Sequence, residues 1–414
     1  MNNKEEDRMN HVIAFDVSMG KSTLVIYDTH QRCIFEGELE HTVLGFTSLK
    51  DRIEEVRTHT GNMPEIVFEA TGVYSQGLER FLQKEHYPYT RLNPLHAKLQ
   101  MATGSMRRHK TDISDAHELA KSHFKAERYE TYIQEEYFDQ MRALGRYYDE
   151  VEKENRLYTN RLHAFLQLSF SELENAFSKS TLHFLHIVQH YPHPDTVRGL
   201  SLEEVRDIVK QTSQKHISFQ QAEEKAKLIM EAAENTYSAI TVTDVRCQHL
   251  KDCAHRITEL KQQKKEIIKQ MVQLSNERTD FQVLVSFPGI GEATAVRLIG
   301  ELGDIRRFKS NKQVNAYAGI DIQRYQSGKL QYQDRINKRG NRRLRKILYF
   351  MIMSMISLRK KKKNTIVDYY DRLKKQPQSK PHKVAVIACV NKFLKVAFHL
   401  IQHGTHYSYG IAST

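Results

Sequence analysis

"HVIAFDVSMGKSTLVIYDTHQRCIFEGEL", residues 11–39, decides the fold of the first part of the chain. It holds three short apolar runs, HVIAFD (11–16), STLVIYD (22–28) and RCIFEGEL (32–39), rich in β-branched and aromatic residues and separated by tight turns. Runs of that length and composition predict strands, and connections this short allow only antiparallel neighbours. Downstream the pattern predicts a helix at 45–58, a strand EIVFEA at 65–70, a helix near 74–85, a strand YPYTRLN at 87–93, and helices near 94–103 and 112–126. The later strands need helical crossovers and so run parallel to their neighbours. The order βββαβαβα is that of a ribonuclease-H-like sheet, an α/β fold.

From about 135 the period changes. Met141, Leu144, Tyr148, Val151, Asn155, Tyr158, Leu162 and Phe165 recur at alternating spacings of three and four, a heptad seam with one polar position at Asn155. A matching run is Ile257, Leu260, Lys264, Ile267, Met271 and Leu274. The two predict an antiparallel hairpin within one chain or pairing between chains. Short helices fill 178–250, with a break at HYPHPD, and a second compact, mostly helical domain runs from near 280 to 402. The expected division is 1–130, 131–279 (a helical, coiled-coil connector) and 280–414.

At 414 residues, 40% apolar and net charge +13, the chain is a folded protein of more than one domain that favours a polyanionic partner. The charged start MNNKEEDRMNHV has no signal-peptide core, and the apolar run ILYFMIMSMISL (347–358) is too short to cross a bilayer. The cysteines at 33, 247, 253 and 389 form no CxxC pair, which leaves neither a zinc site nor a disulfide framework to expect. A cytoplasmic, reducing location without a membrane partner is the expectation.

Four acids stand out by position. Asp16 closes the first strand, Glu69 ends the fourth, and Asp112 and Asp115, three apart in KTDISDAHELA, share one face of a helix. The first and fourth strands of such a sheet are neighbours, so all four carboxylates are expected at one edge. Taken singly each has an ordinary reading, as a strand end, a helix N-cap or a solvated turn. Together, ionised, they need a cation, and an all-oxygen donor set suits Mg²⁺ or Mn²⁺.

Residues 285–308 contain a Pro-Gly-Ile-Gly turn followed by a helix, the pattern of a helix-hairpin-helix. Gly289 and Gly291 would let backbone N–H groups approach a phosphate, unless this is a plain helical turn. Next come QSGK (326–329) and a basic run, with Arg335, Lys338, Arg339, Arg342 and Arg343 preceding or opening an apolar helix. By spacing alone Ser327-Gly328-Lys329 is a turn; a serine nucleophile needs a base or a cation, and Tyr325 is a rival. The basic run would neutralise phosphates and make binding salt-dependent.

FDVS, FEATGVYSQGL, KTDISDAHELA, FPGIGEATAVRLIGELGDIRRF, AYAGID…YQSGK and INKRGNRRLRK occur in the order found in transposases of the insertion-sequence 110 family, and the chain resembles that family over nearly its whole length. The family comprises DEDD recombinases with a RuvC-like domain, related to the pilin-gene invertase, some of them guided by a bridge RNA. The resemblance implies that Asp16, Glu69, Asp112 and Asp115 are metal-binding catalytic carboxylates, and that Ser327 is a nucleophile becoming linked to DNA. Lys329 and the basic residues would hold the backbone. It further implies DNA, a structured guide RNA and a dimer or tetramer as partners. Ile322, where the family usually has proline, and INKRGN for the more usual ISKRGN are departures. A metal-dependent, junction-resolvase-like nuclease using water, with Ser327 only a turn, is the competing expectation; a binding protein with a decayed site is a third.

Overall fold

In a computed structural model the residues described are 10–94, 111–125, 129–178, 181–213, 217–323, 326–327, 330–331, 335–377 and 379–410. The chain divides into two units, Met1–Ile133 and Gln134–Thr414.

The first unit is built on strands β1 (Val12–Val17), β2 (Lys21–Tyr27), β3 (Cys33–Glu40), β4 (Glu65–Glu69) and β5 (Tyr89–Leu92), in the sheet order β3-β2-β1-β4-β5. The β1–β2 and β2–β3 pairs are antiparallel, and the β1–β4 and β4–β5 pairs are parallel, as the turn lengths require. Helices α1 (Val43–Thr60), α2 (Gln76–Lys84) and α3 (Asp112–Lys125) complete the unit. The helix expected at 94–103 lies outside the described residues beyond its first position. Strand alternation sorts the side chains to two faces. Ile13, Phe15, Ile66 and Phe68 pack with Leu49, Ile53, Leu78 and Leu82 of α1 and α2. Val12, Ala14, Val25 and Val67 pack with Ala116, Leu119 and Ala120 of α3.

In the second unit, α4 (Glu136–Ser169) and α8 (Val245–Ser275) run antiparallel within the one chain. Contacts fix their direction. The Tyr137 hydroxyl shares a hydrogen bond with Ser275, Glu152 accepts from Lys264, and Arg256 donates to Glu154. Met141, Val151 and Leu162 are buried facing Ile257, Leu260, Ile267 and Met271, but Leu274 at the end of the expected seam is 40% exposed. Beyond the far end, α5 (Leu182–His190), α6 (Leu202–Thr212) and α7 (Phe219–Asn235) close a separate core over Leu166, Phe170, Leu250 and Ile257.

The near end of α4 and α8 shares one core with the helices of the part that follows residue 278. That part comprises α9 (Thr279–Ser286), α10 (Glu292–Leu302) and α11 (Asn311–Ala318). A ribbon follows, with β6 (Ile322–Gln323) paired to β9 (Arg335–Ile336) and β7 (Gln326–Ser327) paired to β8 (Leu330–Gln331). Then come α12 (Arg342–Ser357), α13 (Thr365–Lys374) and α14 (His382–His403). Phe138, Met141 and Met271 meet Phe281, Leu298, Leu348 and Phe393 there, so the stretches expected as 131–279 and 280–414 are continuous in packing. By length and composition α14 is apolar enough to span a membrane, yet Ala385, Val386, Cys389, Val390, Phe393 and Leu394 are buried in this core.

Candidate active site

Asp16 and Glu69 owe their placement to the sheet. The parallel β1–β4 ladder pairs Phe15 with Phe68, and one further step sets Asp16 beside Glu69 on strands about 4.8 Å apart. Val12, Ala14 and Val67 belong to the core under α3, so period two puts both acids on that face. Both are half-buried.

Helix α3 crosses this face in the opposite sense to β1. Near its C-terminus His123 bonds Glu65, the first residue of β4, at 2.5 Å. At its N-terminus Asp112 is close enough to Lys21, the first residue of β2, to favour the charged ammonium. Lys21 itself donates to Glu38 at 2.8 Å, the main reason its pKa is raised. Ser22 pairs with Val17 at the end of β1, so the Lys21 end of β2, which Asp112 approaches, is the sheet end that carries Asp16. Asp112 and Asp115 both sit in the first turn of α3, where the helix dipole favours negative charge. Asp112 and Asp115 therefore stand on the helix that covers the sheet face bearing Asp16 and Glu69. Among the described residues no three acidic, His or Cys side chains converge into a ready-made metal site.

Sequence reasoning missed a brace that fixes α3 on this face. The Tyr27 hydroxyl bonds His117 Nδ1 at 2.7 Å, and His117 Nε2 bonds Glu36 at 2.8 Å, tying α3 to β2 and β3. Nothing in the linear pattern flags a pair 81 residues apart.

In the second unit, Ser327 stands on β7, paired with Leu330. Lys329 and its rival's position Tyr325 lie outside the described residues. The basic run divides into two groups. Arg335, Lys338, Arg339 and Arg342 are exposed. Arg343 turns inward, 3.8 Å from Asp149 and 3.9 Å from the buried Glu301. Arg345 donates to the carbonyls of Ala318 and Lys338. Asn341 caps α12, its Oδ1 accepting from the N–H groups of Arg343 and Leu344 while Nδ2 donates to Glu301 at 2.8 Å. Gly340 is wedged against the backbone of Tyr317 and Gly319, where no Cβ fits. Much of INKRGNRRLRK is thus architecture that leaves Lys338, Arg339 and Arg342 facing solvent. At the departure from the family pattern, Asn337 Nδ2 donates to Asp321 at 3.1 Å.

The two glycines of the PGIG turn differ. Gly289 has φ +94°, and a Cβ there would come 2.9 Å from Met355 Cα, so its bareness serves packing against α12. Gly291, the N-cap of α10, has nothing near its Cβ direction and is the one open to a ligand.

Two family models match the chain, a DEDD transposase model of IS110 elements over residues 13–171 and the "Transposase IS116/IS110/IS902 family" model over 281–370. The first contains all four acids and the second Ser327 and the outward cations. The pilin gene-inverting protein of Moraxella bovis is 26% identical over 44% of this chain and 55% of its own. The IS110 43.6 kDa protein of Streptomyces coelicolor is 25% identical over 37% of this chain and 36% of its own. The IS1111A transposase of Coxiella burnetii is 36% identical over 17% and 19%. These matches span about half or less of each relative. A solved structure, Thermus thermophilus RuvC with a Holliday junction substrate, aligns with 30% of this chain at a TM-score of 0.23 and 11% identity. The chain belongs to the IS110 family of transposases.

Proposed function

We propose that this chain is a DNA transposase that excises and inserts a mobile element through a covalent serine–DNA intermediate, directed by a structured RNA. The observation that carries the reading is that Asp16 and Glu69 end adjacent parallel strands on the face covered by α3, whose first turn holds Asp112 and Asp115, within a family defined by DEDD acids. Three antiparallel strands followed by two parallel ones support a ribonuclease-H/RuvC-like reading of the first unit. The heptad spacing of α4 and α8 supports a coiled-coil connector.

An all-carboxylate set fits a hard divalent cation, Mg²⁺ or Mn²⁺, and Asp16, Glu69, Asp112 and Asp115 would hold it. When bound it would supply charge stabilisation at the scissile phosphate. The chain's own part falls to Ser327 and the cations. The Ser327 Oγ–P bond forms as the bond from phosphorus to a deoxyribose oxygen breaks, and the serine proton ends on that leaving oxygen. The reverse step reseals a strand with no external energy source, because the phosphodiester is conserved. Arg335, Lys338, Arg339 and Arg342 hold the flanking phosphates. The acids belong to one unit and the serine to the other, and a dimer or tetramer working in the cytoplasm completes the proposal.

Protein copurified with its nucleic acid, given element-end DNA and Mg²⁺, tests this on denaturing gels. A covalent adduct lost in both Ser327→Ala and Asp16→Ala is the expected result. Cleavage without adduct that survives Ser327→Ala and vanishes in Asp16→Ala would establish a water-using nuclease instead.

A further inference from the structure

The second unit contains a cleft of about 1500 Å³ between the β6–β9 end of the ribbon, α13 and α14. Small-molecule sites span about 300–1,000 Å³, so this one suits an extended ligand. Its cations are Arg335 and Lys338 beside the ribbon, Arg372 on α13, Lys380 between α13 and α14, and Lys383, Lys392 and Lys395 on α14. No acid lines it among the described residues. The α14 lysines have no carboxylate partner there either, and Lys392 and Arg372 both approach the Tyr369 ring, at 5.2 and 5.1 Å. Seven like charges around one cavity repel one another unless a polyanion enters.

Between the cations the floor is apolar. Ile322 is 65% and Val384 51% exposed, and Ile387 and Val396 continue that surface along α14. A duplex presents phosphate and sugar outward and hides its bases, so an apolar floor gains little from it. An unpaired strand offers both phosphates for the rim and base faces for the floor. From Lys383 to Lys395 α14 rises about 18 Å, room for several phosphates at about 3.4 Å each in a stacked strand.

We propose that this cleft is a binding site for an unpaired nucleic-acid strand, with phosphates on Lys383, Lys392 and Lys395 and bases against Ile322, Val384 and Ile387. The inference rests on the reading of the chain as a nucleic-acid enzyme, but not on the serine or the carboxylates. It adds α14 to the interface and places the strand at the foot of the ribbon that bears Ser327.

The test is fluorescence anisotropy of the full chain, freed of copurified nucleic acid, with a labelled single-stranded oligonucleotide in EDTA across a salt series. The variant is Lys383→Gln/Lys392→Gln/Lys395→Gln. The control, Lys360→Gln/Lys361→Gln/Lys362→Gln, removes the same charge from exposed positions outside the cleft. Three lost contacts at about 0.7 each lower the salt slope by about 2, roughly a hundred-fold weaker binding at 0.1 M salt. The control should stay within about three-fold of wild type, and a 4-thiothymidine strand should crosslink to α14 peptides. Equal losses in both variants, a duplex weakened as much as the single strand, or crosslinks that miss α14 would each overturn the proposal. Ser327→Ala binds like wild type if the cleft is right, even where no covalent adduct forms, so the two readings fail separately.

Discussion

Replacing Asn341 by alanine removes two things at once. The N-cap of α12 is lost, since Oδ1 accepts from the Arg343 and Leu344 N–H groups; such a loss costs about 1 kcal/mol. The Glu301 carboxylate, 3% exposed, also loses the Nδ2 donor that reaches its Oε2. Among the described residues its Oε1 already has no hydrogen bond, and Arg146 and Arg343 stand 3.7 and 3.9 Å from it. Leaving a buried charged acceptor without its donor costs about 2 kcal/mol more. The sum, about 3 kcal/mol, lowers the melting temperature of a unit this size by about 6–12 °C. Asn341→Ser keeps a capping oxygen too short to serve Glu301, so it should lose about two-thirds as much. Scanning calorimetry of the three proteins measures both steps. A drop under 3 °C for Asn341→Ala, or an undiminished Asn341→Ser, would refute the argument that this residue joins α12 to α10.

Gly340→Ala should destabilise by more than 3 kcal/mol, read from denaturant midpoints, because its Cβ would overlap the Tyr317 carbonyl and the Gly319 backbone. Asp16→Asn or Glu69→Gln should leave the circular dichroism spectrum unchanged but abolish the Mg²⁺-induced rise in melting temperature, about 2.7 kcal/mol at a hundred times Kd in wild type; a rise that persists in both would remove these acids from the metal site. Burial holds the imidazoles of His41 and His183 below the usual histidine value, so unfolding takes up protons at both as pH falls below about 6.5. Melting temperature should thus fall from pH 7.5 to 5.5, and less steeply in His41→Gln and His183→Gln. Cys33 is exposed while Cys247, Cys253 and Cys389 are buried, Cys389 with its thiol pushed up to about 12 by burial; a disulfide reagent should modify one thiol fast in the native protein and the others only on unfolding.

The sheet was legible because strand-length apolar runs and short turns leave few topologies, and the adjacency of the first and fourth strands in that topology set Asp16 beside Glu69. The first turn of α3 followed from KTDISD. What stayed hidden depends on partners distant in the chain. Arg342 and Arg343 are adjacent identical letters, yet one faces solvent and the other Asp149 and Glu301. Gly289 and Gly291 read alike until Met355 is brought against the first. The α14 lysines are diluted among apolar residues at helical spacing, so RKKKKN at 359–364 draws the eye although it lies outside the cleft. Pairing of the two heptad runs was open from sequence, since a seam does not specify whether its partner lies in the same chain; the ion pairs from Glu152 and Glu154 do.

The antiparallel α4–α8 pair carries a mechanical consequence. Met141, in the near core, and Leu162, in the far core, are about 32 Å apart along α4. The chain leaves along one rod and returns along the other, so residues 170–244 behave as cargo on a stiff arm whose two ends meet. A 10° tilt of that arm would swing the cargo by about 6 Å but would have to repack the near core around Met141 and Met271, so the arm holds its direction as firmly as that core is packed.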